Sequence, residues 1–235
     1  MLDYVISTES EMKPYMAELF GTFALVFAGT GAIVINDVTA GAVTHVGISL
    51  TFGLIVTAMV YTVGNVSGAH LNPAVTFGFW LAGRFQSGKL LPYVISQCAG
   101  ALLASGLLRL LFPQHPTLGA TIPAGSIAQS FGLEVILSLL LMFVILNVSV
   151  GAKETGVMAG VAIGAVVGLE ALFAGPITGA SMNPARSLAP AVVSGHLQPL
   201  WIYIFAPVLG TYLGVWGCRC VQEKGCCTKL QEQSP

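Results

Sequence analysis

The sequence predicts an all-α membrane protein in which six transmembrane helices and two re-entrant half-helices form an inverted repeat. Three observations predict it: the composition is strongly apolar, six apolar runs are long enough to span a bilayer, and two further apolar segments are too short. Charged residues make up only 8% of the 235 residues, against roughly a quarter in ordinary soluble domains. The formal net charge of −1 leaves no basic surface for nucleic acid, which is therefore excluded as a partner.

The six long runs approach the roughly 20 residues that a helix needs to cross a bilayer. They cover 14–35, 46–63, 90–112, 131–150, 157–173 and 200–216. Because backbone polar groups cannot stay unpaired in hydrocarbon, these runs predict a helical bundle. The first run is too long for a signal-peptide core and precedes five more spans, so we expect it to be retained.

Lysines and arginines fall unequally on the two sides of this arrangement. One side carries Lys13, Arg84, Lys89, Lys153, Arg219, Lys224 and Lys229, whereas the other carries Arg109 and Arg186. Because cytoplasmic loops are enriched in these residues, both termini are expected in the cytoplasm.

Two shorter apolar segments, 72–81 and 183–193, can reach only halfway across a bilayer. Each opens with Asn-Pro-Ala: Asn72, Pro73 and Ala74 in the first, and Asn183, Pro184 and Ala185 in the second. Proline is favoured at the first position of a helix, and asparagine is a good N-cap just before it. The two segments therefore predict half-helices that begin at these tripeptides.

The surroundings of the two tripeptides also match. Ser-Gly-Ala-His-Leu-Asn-Pro-Ala-Val at 67–75 corresponds to Thr-Gly-Ala-Ser-Met-Asn-Pro-Ala-Arg at 178–186, and Glu18 in the first span corresponds to Glu134 in the fourth. Each half holds three spans, an odd number, so the second half must enter the membrane from the opposite side. Irregular backbone at membrane depth is tolerated where it lines a water-filled cavity, so the loops before the half-helices predict a channel.

The duplication divides the chain into three parts. Residues 1–13 form a cytoplasmic segment, 14–217 a channel domain with repeats of about 14–112 and 129–217, and 218–235 a cytoplasmic tail. The tail holds four of the five cysteines: Cys218, Cys220, Cys226 and Cys227. A reducing cytoplasm argues against disulfides there.

The paired motifs, with Arg186 directly after the second and with Glu18 and Glu134 in repeat-related helices, resemble the major intrinsic protein (aquaporin) family from about residue 13 to 216. The runs at 181–187 and 200–204 look most like its plant nodulin-26-like branch. The resemblance implies a homotetramer in the plasma membrane that passes water and small neutral solutes: glycerol, urea, ammonia or metalloid hydroxides. Helix faces lined by glycine are compatible with that assembly.

The chemistry of the half-helices follows from their ends. Each presents a positive dipole of roughly half an elementary charge and unpaired N–H groups at the membrane centre, where cations and protons meet a barrier. The amides of Asn72 and Asn183 can donate to a passing oxygen and break the chain along which protons would hop. Arg186, a fixed cation at a narrow point, would bind solute oxygens and repel cations.

The resemblance also implies a selectivity filter at Phe52, Ala171, Ala180 and Arg186. Water-selective members usually carry histidine at the position of Ala171, so alanine there should widen the constriction. The resemblance further implies that the carboxylates of Glu18 and Glu134 accept hydrogen bonds from the half-helix loops.

Several polar residues keep two interpretations. Glu170, inside the fifth span, is expected either to reach the nearby interface or to enter the vestibule. His70 either exposes a group to the pore or packs structurally. His45, His115 and His196 lie in or near predicted extracellular loops, where a pH response is possible.

Two other functions are compatible with this fold. A secondary transporter also uses inverted repeats with discontinuous helices, although it needs ionisable coupling groups near its site. A junctional membrane protein would conduct almost nothing. The sequence contains no phosphate-binding loop, metal-ligand cluster or nucleophile with a base partner, so no enzyme activity and no cofactor are expected.

Overall fold

The computed structural model describes residues 2–149 and 153–222, and the elements of these residues are all α-helices. In chain order they are α1 (Leu2–Val38), α2 (Thr44–Ser67), α3 (Pro73–Leu81), α4 (Ser87–Leu111), α5 (Ile127–Val148), α6 (Lys153–Thr178), α7 (Pro184–Ser194) and α8 (Leu200–Val221). Six of them, all but α3 and α7, are long and apolar enough to cross a membrane. The predicted all-helical class is therefore confirmed.

The packing of the six long helices repeats along the chain. Helix α1 packs on α4 and α2, and α5 packs on α8 and α6 in the same way, while α2 and α6 join the two halves. Each half-helix lies against the last span of the opposite half, α3 on α8 and α7 on α4.

Glycines allow the closest of these contacts. A Cβ on Gly164 of α6 would lie 2.5 Å from the carbonyl oxygen of Gly53 in α2, and one on Gly210 of α8 would lie 2.2 Å from that of Val135 in α5. Such distances are well inside van der Waals contact, so only glycine fits. These glycines allow tight packing between helices of the same chain, as small residues do in membrane helix bundles.

The two half-helices begin as their capping pattern predicts. Asn72 caps α3 by accepting from the backbone N–H of Ala74, and Asn183 caps α7 by accepting from those of Ala185 and Arg186. Proline occupies the first turn of each helix.

The start of the tail departs from one expectation. Cys98 and Cys220 are free thiols, whereas Cys218 is disulfide-bonded. The expectation of no disulfide in the tail is therefore wrong for Cys218, because it rested on the compartment and not on which thiols the fold brings together. Cys226 and Cys227 lie outside the described residues.

Candidate functional site

A cavity of about 400 Å³ runs beside the start of both half-helices. Its polar lining comes from the first re-entrant loop (68–72), the second re-entrant loop (179–183) and Arg186, with Tyr61, Asn65 and Ser149 contributing further polar side chains. Most of the remaining wall is aliphatic, contributed by α2, α5 and α6 through residues such as Val56, Leu141, Ile145, Ile163 and Val167. The cavity therefore combines a small number of polar groups with a mostly apolar wall.

The two re-entrant loops are tied to each other across the repeat. The Asn72 amide donates from Nδ2 to the carbonyl oxygen of Met182 at 2.8 Å, and that of Asn183 donates to the carbonyl oxygen of Leu71 at 2.8 Å. Each asparagine Oδ1 meanwhile accepts from the N–H groups that it caps. Because a primary amide has two N–H donors, one donor of each asparagine remains after these bonds. Both side chains line the cavity.

Two buried carboxylates hold the loops from behind. Glu18 Oε1 accepts from the backbone N–H of His70 at 2.9 Å, and its Oε2 accepts from that of Leu71 at 2.7 Å. In the second half, Glu134 accepts at 2.8 Å from the backbone N–H groups of Ser181 and Met182. These loop N–H groups would otherwise be buried without partners, at a cost of roughly 1–3 kcal/mol each.

The loops need this support because their backbone is strained. Ala69 and Leu71 in the first loop, and Ala180 and Met182 in the second, have φ between 41° and 54°. Left-handed backbone of this kind costs a residue other than glycine of order 1–3 kcal/mol. The same alternation at matching positions gives the two loops one shape.

The four predicted filter residues all line this cavity. The guanidinium carbon of Arg186 lies 5.1 Å from the centroid of the Phe52 ring, a cation–π distance. Arg186 Nη1 also donates at 2.8 Å to the carbonyl oxygen of Gly119, in the loop between α4 and α5. Ala171 and Ala180 contribute only methyl groups opposite these two bulky side chains.

His70 lines the cavity and is also packed. Its ring stacks on Phe79 with the centroids 4.5 Å apart, and its Nδ1 lies 3.2 Å from Thr76 Oγ1. The structure therefore combines the two interpretations that the sequence left open for this residue.

Glu170 lies neither in the vestibule nor at the interface. Its side chain is 1% exposed, it does not contribute to the cavity, and both carboxylate oxygens lack a partner within the described part of the chain. Successive helix positions are turned by about 100°, so Ala171 faces the cavity while Glu170 faces the protein interior. There it lies within electrostatic reach of Glu134. Both expectations for Glu170 were wrong for this reason.

Three contributors to the site were missed by sequence reasoning. Gly119 holds Arg186 through its carbonyl, and Thr121 donates from Oγ1 at 2.9 Å to Ser187 Oγ, one residue further along α7. Gln97 donates to Glu18 Oε2 at 2.7 Å and to Thr76 Oγ1 at 2.9 Å. A polar residue in the third apolar run was a signal for Gln97, whereas nothing local distinguishes Gly119 and Thr121.

Comparison with known proteins assigns the family. The family model for the major intrinsic proteins matches residues 5–217. The chain is 47% identical to aquaporin NIP1-1 of Zea mays over 212 residues, which are 90% of this chain and 75% of that protein. It is 45% identical to nodulin-26 of Glycine max over 206 residues, covering 87% and 76% of the two chains.

A solved structure agrees with this assignment. The X-ray structure of the aquaglyceroporin from Plasmodium falciparum superposes with a TM-score of 0.75 at 27% identity, covering 88% of this chain and 94% of that one. Together with the six apolar helices and the paired Asn-Pro-Ala loops, these matches identify the chain as a member of the major intrinsic protein family, a group of multi-pass membrane channels.

Proposed function

We propose that this protein is a passive channel for water and for small neutral solutes larger than water, and that these solutes cross through the cavity between the re-entrant loops. The observation that carries the proposal is the lining of that one cavity by both capping asparagines and all four filter positions. A mostly apolar wall with a small number of polar groups suits a neutral solute, because only part of its hydration shell is replaced.

Ions are excluded by charge and by incomplete solvation. The N-terminal dipoles of α3 and α7 meet at the loops, where Asn72 and Asn183 bond across to the opposite loop. Arg186 adds a full positive charge at the mouth. A cation entering the cavity would meet these positive ends and a mostly apolar wall that cannot replace its hydration shell, whereas a neutral solute can use the remaining asparagine donors.

The width of the filter supports solutes larger than water. Phe52 and Arg186 are its only bulky members, since Ala171 and Ala180 present methyl groups to the same cavity. Glycerol, urea, ammonia and metalloid hydroxides are the candidate solutes. We place the support of the loops with Glu18 and Glu134, which act on the pore through backbone contacts rather than on the solute.

Stopped-flow light scattering on proteoliposomes tests this function with water, glycerol, urea and ammonia. Ala171→His adds a ring that narrows the mouth while supplying a polar group to water. We expect glycerol or urea permeability to fall about tenfold or more, equivalent to about 1.4 kcal/mol of added barrier, and water permeability to fall much less. Ala171→Leu is the matched control, because it adds bulk without a hydrogen-bonding group and should lower water permeability as well.

Two results would reject the wide filter. The wild-type channel could conduct water alone, or Ala171→His could lower water and solute fluxes equally. Saturable uptake driven by an ion gradient would instead support a secondary transporter. The described cavity argues against that alternative, because Arg186 and His70 are the only ionisable side chains of its lining apart from the phenol of Tyr61.

We further propose a homotetramer in the plasma membrane with both termini in the cytoplasm. Large apolar side chains on the outer surface, including Leu54, Ile95, Leu103 and Trp216, are suited to lipid or to neighbouring subunits. Native mass spectrometry in detergent gives the subunit count. Proteolysis of sealed vesicles determines which side carries the termini.

A further inference from the structure

The loop between α4 and α5 (residues 112–126, here the α4–α5 loop) reaches the filter at two points. Its Gly119 carbonyl accepts from Arg186 Nη1, and its Thr121 hydroxyl donates to Ser187. A Cβ on Gly119 would lie 2.9 Å from Thr30 Cβ, so the loop sits tightly on α1 at this point. The position of the Arg186 guanidinium therefore depends on how this loop is held.

One histidine shapes the turn just before Gly119. The backbone N–H of Leu118 donates to His115 Nδ1 at 3.0 Å, and Leu118 itself has a left-handed φ of 53°. Since Nδ1 must accept this bond, the ring proton lies on Nε2, which donates at 3.2 Å to Asp37 Oδ2 of α1. The imidazole is thus oriented from both sides and is 6% exposed.

The backbone of His115 is held as well. Arg109 Nη1 of α4 donates at 2.7 Å to the His115 carbonyl oxygen. The side chain of Leu118 is fully buried against Val34 of α1 and Leu108 of α4. A continuous series of contacts therefore leads from α1 and α4 through His115 and Leu118 to the Gly119 carbonyl and Arg186.

We propose that His115 is a positioning residue of the selectivity filter: by accepting from Leu118 N–H, it fixes the turn that presents the Gly119 carbonyl to Arg186. The inference rests on the proposed channel function, because it assigns a structural cause to the geometry of the filter. The acceptor in this role is Nδ1, and the hydrogen bond from Nε2 to Asp37 orients the ring so that Nδ1 faces the Leu118 N–H.

Two substitutions separate the two ring nitrogens. His115→Asn places an acceptor oxygen near the position of Nδ1 and loses the donor to Asp37, whereas His115→Gln places a donor near Nε2 and loses the acceptor for Leu118. We expect His115→Gln to change the glycerol-to-water permeability ratio by about fivefold, the scale of one hydrogen bond. His115→Asn should leave the ratio near the wild-type value.

Hydrogen exchange keeps the inference separable from the channel function. The peptide that contains Leu118 and Gly119 should exchange faster in His115→Gln than in wild type or His115→Asn. If both variants have the same permeability ratio, or the same exchange rate, the assignment to Nδ1 is overturned. A wild-type protein that conducts nothing would overturn the channel function and the filter role together, while the exchange rates would still decide whether His115 holds the turn.

Discussion

At the first re-entrant loop, the carboxylate of Glu18 accepts four hydrogen bonds. At the second, the equivalent carboxylate of Glu134 accepts three. Both carboxylates take two backbone N–H groups and one hydroxyl, from Ser67 in the first half and Thr178 in the second. The fourth donor to Glu18 is Gln97 of α4. When Tyr93 is aligned with Tyr203, proline occupies the corresponding place in α8, and it has no side-chain donor.

The second loop gains a different support instead. Ser181 occupies the position equivalent to His70 and shares a hydrogen bond with Ser187 Oγ, which also accepts from Thr121 of the α4–α5 loop. The first loop is thus held by a neighbouring helix, and the second by an external loop that also holds Arg186. The two loops share one backbone shape but differ in their supports, and the support of the second loop comes from the loop that also contacts Arg186.

The largest expected effect comes from replacing each of these two carboxylates with an amide. Each carboxylate oxygen of Glu18 accepts two hydrogen bonds. In Glu18→Gln, the NH₂ group that replaces one of these oxygens therefore faces two donors, whichever way the amide is turned. In Glu134→Gln, the amide NH₂ can take the place of Oε2, which accepts from Met182 N–H alone among the described residues. We expect a loss of about 3–5 kcal/mol for Glu18→Gln and about 1–3 kcal/mol for Glu134→Gln, since hydrogen bonds to charged groups contribute about 1.5–3 kcal/mol each.

Thermal unfolding in detergent and the yield of folded protein measure these losses. The folded fraction of either variant should retain its glycerol-to-water ratio, because neither carboxylate lines the cavity. Equal losses for the two variants would show that Gln97 adds nothing to the first loop. A switch in solute selectivity at normal yield would contradict the supporting role of both residues.

Much of this architecture could be predicted because its signals are local. The length and apolarity of six runs predicted the long helices, and the two Asn-Pro pairs predicted where α3 and α7 begin. Both features can be recognised from consecutive residues. The contacts of Arg186 could not be found in this way. Its acceptor at Gly119 is 67 residues away in a loop that lies outside the matched motifs, and a backbone carbonyl has no side chain to mark it.

Glu170 shows a different limit. A charge inside an apolar run indicates function in a membrane protein, but the sequence does not state how the helix is rotated. One position separates Glu170 from Ala171, and that step decides between the cavity and the protein interior. The same half of the molecule therefore holds two buried carboxylates, one with three donors and one with none among the described residues.

The next test concerns this pair. Glu170→Met removes a buried carboxylate that lacks partners and keeps a similar volume, so we expect it to stabilise the protein by about 1–3 kcal/mol. Glu134→Met should destabilise it, because three donors lose their acceptor. Thermal unfolding of the two variants side by side gives the comparison. A lower unfolding temperature for Glu170→Met would mean that its carboxylate contributes a favourable interaction.

The smallest expected effect comes from the C-terminal turn of α6, where the two halves differ in their backbone. Pro176 has no N–H, so the carbonyl of Leu172 loses the donor that a regular helix would supply. The position equivalent to Pro176 in α2 is Asn65, which keeps its N–H. His45, at the start of α2, replaces the missing donor: its Nε2 donates to Leu172 O at 2.7 Å. A Cβ on Gly175 would lie 3.0 Å from His45 Cε1, so glycine gives this ring room.

His45→Leu should therefore cost about 1 kcal/mol, the net value of one hydrogen bond, because water can reach part of this half-buried site. A double-mutant cycle with Pro176→Ala isolates the cause. Alanine at 176 restores the helical N–H donor to Leu172, so His45→Leu should cost much less in that background, and His45→Gln should retain most of the bond in the wild-type background. Thermal unfolding of the wild type, His45→Leu, Pro176→Ala and the double variant completes the cycle. If His45→Leu costs the same with proline and with alanine at 176, the histidine stabilises this end of the bundle by packing alone, and the difference between α6 and α2 at this turn carries no energetic consequence.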